Sequence, residues 1–137
     1  YRLVELQRFS QWLGVPLNLH PRFFPVAGEP SARLISTVAE HDGAAAAMRL
    51  SGAVLTAVWA QERDIADPQT LAALLSECGL DAARLAASQT EAGLALADAH
   101  TQAAIDAGVF GAPSYVIDGE LFWGQDRLDF VDRRLQN

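Results

Sequence analysis

Apolar residues up to position 107 recur with the spacing of amphipathic helices rather than with the alternation of strands. The clearest case is the run 71–78, where leucines and a cysteine stand at i, i+3, i+4 and i+7. Asp67-Pro68 supplies a helix start before this run, and Gly79 supplies a stop after it. The pattern predicts helices over residues 1–14, 31–40 (capped by Ser31), 44–63, 68–78, 81–88 and 90–107, with a proline-rich extended segment over 15–30.

The apolar stripes of these helices mark the residues that we expect to face a core. They are Leu3, Leu6, Phe9 or Ser10, and Leu13 in the first helix, and Met48, Leu55, Val58 and Trp59 in the helix over 44–63.

After Gly108 the period of the pattern changes. Two short apolar runs, SYVI and ELFW, flank Asp118-Gly119, which predicts a β-hairpin closed by a two-residue turn. Asp126 is then expected to cap a final helix whose Leu128, Val131 and Leu135 face inward. Because two strands alone do not make a stable sheet, further strands are expected N-terminal to Tyr1.

Composition narrows the class of protein. The 137 residues are 50% hydrophobic, which suffices for one domain with a core. A net charge of −7 argues against nucleic acid as a partner, and no apolar stretch has the length of a membrane span. No signal peptide is visible, so the expected location is the cytoplasm.

Few side chains offer chemistry of their own. The single cysteine, Cys78, excludes a C-x-x-C pair within these residues and is expected to be a buried thiol. The three histidines lack metal-ligand spacing, so no metal site is predicted. Glu62, Arg63, Asp64 and Asp67 are interpreted as a solvated helix end.

Two features in loops remain. Phe23 and Phe24 lie in the proline-rich segment, where they line a pocket or pack in the core. Gly111-Ala112-Pro113 leads directly into a strand. A cis bond before Pro113 would turn the backbone N–H and C=O of Ala112 outward, whereas a trans bond would make this an ordinary turn.

The segments GVFGAPSYVIDGELFWGQDRLDFV, LGVPLNLHPRFFPV and AVWAQERDIADPQTLAALL resemble 2-hydroxychromene-2-carboxylate isomerases and kappa-class glutathione transferases. These families form part of the DsbA-like branch of the thioredoxin superfamily. The resemblance implies an α/β fold, thioredoxin-like with an inserted all-helical domain, of which this mostly helical chain lacks the first β-α-β half. It divides the chain into an entry helix and linker (1–21), the helical insertion (22–100) and the C-terminal half of the thioredoxin-like domain (101–137).

The same resemblance implies glutathione as cofactor and assigns its site. The family's catalytic serine would precede Tyr1, so no catalytic residue is assigned here. Phe23 matches an aromatic substrate contact. The residues that match glutathione contacts are Ala112, Pro113, Trp123, Gly124, Gln125 and Asp126.

The function implied is that of a glutathione-dependent isomerase of aromatic catabolism, with a small aromatic molecule as its substrate. The resemblance is also compatible with a homodimer. The alternatives are a kappa-class glutathione transferase, a DsbA-like thiol-disulfide oxidoreductase, or a stretch of chain without activity of its own. A serine near the first helix of the missing half would favour the isomerase or the transferase, and a C-x-x-C pair would favour the oxidoreductase.

Overall fold

A computed structural model describes all 137 residues. They form seven α-helices, one two-stranded sheet and a 3₁₀ turn. The helices are α1 (Arg2–Leu13), α2 (Glu29–Asp42), α3 (Ala44–Trp59), α4 (Pro68–Glu77), α5 (Ala83–Ser88), α6 (Glu91–Asp106) and α7 (Leu128–Gln136), the strands are β1 (Ser114–Ile117) and β2 (Glu120–Trp123), and the 3₁₀ turn covers Gln125–Arg127.

The chain divides into two compact units, Tyr1–Ala97 and Asp98–Asn137. In the first unit, α2 packs against α3 and α5, and α4 also packs against α3 and α5. Their apolar faces enclose one core, because burying leucine and valine side chains is the main source of stability in a helical unit of this size. The residues at its centre are Leu34, Val38, Leu50, Leu71, Leu74 and Leu75.

Several helix ends lie where the local sequence predicts them. A carboxylate oxygen of Asp67 accepts a hydrogen bond from the Gln69 N–H at 2.9 Å, and Pro68 is the first residue of α4. Gly14 and Gly79, which follow α1 and α4, have φ angles of +64° and +68°. That left-handed conformation is one which glycine adopts at little cost.

Two helix ends differ from their prediction. The prediction that Ser31 caps α2 is wrong: α2 begins at Glu29, and the Ser31 hydroxyl lies inside the first turn, where it donates to the Gly28 carbonyl at 2.8 Å. The helix predicted to reach residue 63 ends at Trp59. Glu62 has a φ of +53°, which interrupts helical geometry there.

The buried face of α3 matches the predicted one only in part, since Val58 is buried and Trp59 half-buried as predicted. Met48 and Leu55 are 72% and 60% exposed. The residues that α3 buries are Ala46, Ala47, Leu50, Val54, Ala57 and Val58. Because α3 is apolar on nearly every side, the pattern of hydrophobicity could not select a face, and the alanines allow neighbouring helices a closer approach. The predicted stripe of α1 is wrong in the same sense, since α1 buries none of its residues.

The junction of α5 and α6 depends on one glycine. A Cβ atom at Gly93 would lie 2.6 Å from the carbonyl oxygens of both Ala87 and Ser88. The Gly93 N–H donates a hydrogen bond to the Thr90 hydroxyl oxygen at 3.2 Å. The start of α6 therefore rests directly on the backbone at the end of α5.

An ion pair joins the end of α2 to α5. The Arg84 guanidinium donates two hydrogen bonds to the Asp42 carboxylate, at 2.8 and 3.0 Å. These bonds lower the pKa of Asp42 below its usual range and raise that of Arg84.

Because the folded state holds Asp42 in its charged form, the pair stabilises the protein above the ordinary carboxyl pKa of about 4, and this contribution is lost as acidification protonates Asp42. We expect the free energy of unfolding to fall less steeply below pH ~4 in Asp42→Asn than in the wild type. Urea titrations at a series of pH values measure this. The matched control is Glu40→Gln, an exposed carboxylate of the same helix. Parallel curves for Asp42→Asn and the wild type would contradict the assignment.

The second unit consists of the end of α6, the hairpin and α7. β1 and β2 pair antiparallel, with Ser114 opposite Trp123 and Ile117 opposite Glu120. Asp118 and Gly119 form the predicted two-residue turn, and their φ angles of +50° and +80° are those of type I′. No further strand is present in the chain.

α7 is tied to the hairpin by charge. The Arg134 guanidinium lies 2.9 Å from a carboxylate oxygen of Asp118 and 3.3 Å from one of Glu120. Of the predicted inward residues of α7 only Val131 is buried, while Leu128 and Leu135 are exposed, so that part of the prediction is wrong. None of the helices is both long and apolar enough to cross a membrane.

Candidate functional site

The Gly111-Ala112-Pro113 step forms a fixed loop at the entrance to β1. The peptide bond between Ala112 and Pro113 is cis, as is the one between Phe24 and Pro25. The Ser114 hydroxyl donates to the Gly111 carbonyl at 2.6 Å, and the Gly124 N–H donates to the Pro113 carbonyl at 2.9 Å. The loop is thus held from both strands of the hairpin.

The backbone of Ala112 is unpaired within these residues. The residue is exposed, and neither its N–H nor its C=O hydrogen-bonds within the protein. The flanking Gly111 and Pro113 carbonyls, by contrast, are both engaged. Ala112 therefore has one donor and one acceptor ready to pair with an extended peptide backbone.

Trp123 ends β2 and lies against the loop. Its indole nitrogen would be only 2.6 Å from a Cβ atom at Gly111, so a glycine is needed at that position for the indole to lie there. The Phe110 ring packs on Trp123 with centroids 5.1 Å apart and planes at 59°.

The Gly124-Gln125-Asp126 turn follows directly. Gly124 has a φ of +107°, and a Cβ atom there would be 2.5 Å from an Asp126 carboxylate oxygen. The Asp126 carboxylate pairs with the Arg127 guanidinium at 2.8 Å. The prediction that Asp126 caps the final helix is wrong, because its carboxylate accepts no backbone N–H of α7 and it lies within the 3₁₀ turn that precedes this helix.

The structure brings six of the predicted residues into one unit, the second one: Ala112, Pro113, Trp123, Gly124, Gln125 and Asp126. Phe23 belongs to the first unit, so its role as a substrate contact stays a prediction. It is half-buried, with the Arg22 guanidinium 5.2 Å from its ring centroid. Phe24 packs on Trp59, with ring centroids 4.8 Å apart.

One residue with a clear role was missed from the sequence. Glu62 was interpreted as part of a solvated helix end, but its carboxylate accepts hydrogen bonds from the Asn18 side-chain amide and the Arg22 N–H, both at 2.7 Å. It therefore fixes the proline-rich loop that carries Phe23. No local pattern could have revealed this contact, because the partners are 44 and 40 residues away.

The potential metal ligands and the single thiol do not form a cluster. No three His, Cys, Asp or Glu residues lie close enough together to hold a metal ion. Cys78 is half-buried at the end of α4, where its backbone N–H donates to the Leu74 carbonyl. What the second unit offers is recognition by backbone groups, an acidic side chain and two aromatic rings.

Comparisons with known proteins agree with this architecture. The model of the DSBA-like thioredoxin domain matches residues 1–136. The chain is 34% identical over 135 residues to a 2-hydroxychromene-2-carboxylate isomerase of Pseudomonas putida, covering 96% of this chain and 63% of that protein. It is 32% identical over 148 aligned positions to one of Sphingobium xenophagum, covering 97% of this chain and 66% of the relative.

A solved structure of 2-hydroxychromene-2-carboxylate isomerase superposes on this fold with a TM-score of 0.74 at 29% identity, covering 97% of this chain and 63% of that one. The chain thus spans less than two thirds of the length of these relatives. The predicted fold class, a mostly helical portion of a DsbA-like thioredoxin fold, is confirmed. With the family model matching nearly its whole length, the chain belongs to the DSBA-like thioredoxin domain family.

Proposed function

We propose that this chain belongs to a glutathione-dependent isomerase of the 2-hydroxychromene-2-carboxylate isomerase type, which acts on an intermediate of aromatic catabolism. Two kinds of observation support the proposal. The relatives from Pseudomonas putida and Sphingobium xenophagum carry that name. The observation that supports glutathione as the cofactor is the unpaired backbone of Ala112 beside the cis bond to Pro113.

The residues of the second unit fit glutathione. Glutathione is an extended tripeptide, so its cysteinyl backbone offers the acceptor and donor that Ala112 lacks within the protein. Two such hydrogen bonds fix the direction of the peptide without using any side chain. When bound, glutathione would supply a thiolate as the nucleophile of the isomerisation.

The turn before α7 fits the other end of the cofactor. The γ-glutamyl group carries a carboxylate and an ammonium on one carbon, and Asp126 and Arg127 present the opposite charges side by side. The N–H groups of Gln125 and Asp126, at the start of the helical turn, are without partners and suit the carboxylate. The Asp126–Arg127 pair is exposed, so exchanging it for a ligand's charges costs little.

A kappa-class glutathione transferase would use the same contacts, and product analysis with the complete protein distinguishes the two. An isomerase returns glutathione unchanged, whereas a transferase leaves it in the product. A thiol-disulfide oxidoreductase would need a C-x-x-C pair, which this stretch of chain lacks.

Asp126→Asn tests the glutathione site. The substitution removes the charge that faces the ligand ammonium, and hydrogen bonds to charged groups contribute about 1.5–3 kcal/mol. Because Asp126 is exposed and already shares its charge with Arg127, we expect the lower end of that range, a loss of about tenfold in glutathione affinity. Calorimetric titration of the complete protein measures this.

The control for Asp126→Asn is Asp98→Asn, which makes the same charge change at an exposed position of α6 that does not line the cavity beside Asp126. We expect Asp98→Asn to keep its glutathione affinity, and both variants to unfold within about 0.5 kcal/mol of the wild type, since Asp126 does not cap α7 and Asp98 lies inside α6. If the two variants bind glutathione with equal affinity, Asp126 does not belong to the glutathione site. If the wild type does not bind glutathione, the proposed cofactor is wrong.

A further inference from the structure

Two large aromatic side chains lie beside the Ala112 loop and are exposed within this stretch of chain. Phe110 is 70% exposed and Trp123 is 53% exposed, although they pack on one another with centroids 5.1 Å apart. Tryptophan is a residue that proteins usually bury to a large extent. We call these two side chains the aromatic platform.

The platform is held in place by the backbone around it. Trp123 is opposite Ser114 in the hairpin register, and Ser114 bonds back to Gly111. The nitrogen-bearing edge of the indole occupies the space that a Cβ atom at Gly111 would need. The indole position is thus set by the hairpin on one side and by a glycine on the other, which is the rigidity expected of a recognition surface.

The chain contains a second exposed aromatic pair, which provides a comparison. Phe9 and Trp12 lie on one face of α1 with centroids 5.8 Å apart, and Trp12 is exposed. Their neighbours are the Glu5–Arg8 ion pair and helical backbone whose hydrogen bonds are internal. The platform lies next to the unpaired backbone donor and acceptor of Ala112, since Phe110 is two residues before it.

We infer that the Phe110–Trp123 platform binds the planar aromatic ring of the substrate next to glutathione. The inference rests on the proposed function and deepens it: it reassigns Trp123 from the cofactor to the substrate and adds Phe110, which no sequence pattern singled out. A ring lying on Trp123 continues the tilted packing that Phe110 begins. Because Ala112 takes the glutathione backbone, the ring would lie beside the thiol with which it reacts.

The test uses chromone-2-carboxylate, a planar bicyclic acid, as the probe and measures its binding and that of glutathione separately by calorimetry, with the complete protein. In Trp123→Leu we expect the affinity for chromone-2-carboxylate to fall about tenfold and the affinity for glutathione to change less than twofold. Trp12→Leu, the matched control, should change neither affinity.

Phe110→Leu provides an independent variant, because it keeps an apolar side chain at this loop position. It should also lower the affinity for chromone-2-carboxylate and leave the affinity for glutathione unchanged. Unchanged probe affinity in both variants, or no probe binding by a wild type that binds glutathione, would overturn the platform and leave the proposed function intact. A loss of glutathione affinity alone in Trp123→Leu would return that residue to the cofactor site.

Discussion

Leu75→Ala is expected to lower the free energy of unfolding by about 2–5 kcal/mol. The Leu75 side chain is completely buried, in one cluster with Leu34, Leu50 and Leu71. Removing it loses the transfer free energy of the deleted carbons and leaves a cavity, because α2, α3 and α4 hold the surrounding side chains in place. Urea denaturation followed by circular dichroism measures the change.

Leu55→Ala is the control for this experiment. It makes the same chemical change in α3 at a residue that is 60% exposed, so no cavity forms and we expect a change within about 0.5 kcal/mol. Leu55 also belongs to the stripe that the sequence predicted to be buried. If Leu55→Ala cost as much as Leu75→Ala, the predicted face of α3 would be correct and the observed one wrong.

Gly93→Ala is expected to destabilise the protein by about 1–3 kcal/mol. In a helix, alanine is normally the better residue by about 0.5–1 kcal/mol, so the ordinary propensity argues for the opposite sign. A steric contact decides the sign of the change in stability, because the new methyl group would lie 2.6 Å from the Ala87 and Ser88 carbonyl oxygens. These are backbone atoms, which cannot turn aside as a flexible side chain does.

Gly52→Ala, in the middle of α3, is expected to change the free energy of unfolding in the opposite direction. A Cβ atom at Gly52 would meet nothing within 4 Å, so the substitution should stabilise the protein by about 0.5–1 kcal/mol. Thermal unfolding of the two variants under the same conditions makes the comparison. Two stabilised variants would show that the α5–α6 junction accommodates the methyl group.

Sequence reasoning succeeded where the structure depends on a few adjacent residues. The start of α4 at Asp67-Pro68 and the turn at Asp118-Gly119 are confirmed, because capping and the type I′ turn are decided by local backbone chemistry. The choice of face for α3 was right for Val58 but wrong for Met48 and Leu55, because only the neighbouring helices determine which side of an almost wholly apolar helix is buried.

The candidate site shows the same division. The segment around Ala112-Pro113 could be found from its own residues, since the signal lies in a short run of turn chemistry. The role of Asp126 as a cap was wrong because a 3₁₀ turn precedes α7 and moves the cap position by one residue, to Arg127. The contact of Trp123 with Gly111 could not be inferred before the hairpin register was known.

The carboxylate of Glu62 also has a consequence for the entropy of the chain. Its contact with Asn18 closes a loop over a separation of 44 residues, and its contact with Arg22 closes one over 40. Loop-closure entropy grows only with the logarithm of length, and most of the cost is met once the first contact has formed. Since Asn18 and Arg22 are near neighbours in sequence, the second hydrogen bond requires almost no additional closure. The Glu62 carboxylate therefore accepts two charge-assisted hydrogen bonds, while the chain loses the entropy of only one loop closure. These bonds anchor the proline-rich loop, which has no helix or strand of its own.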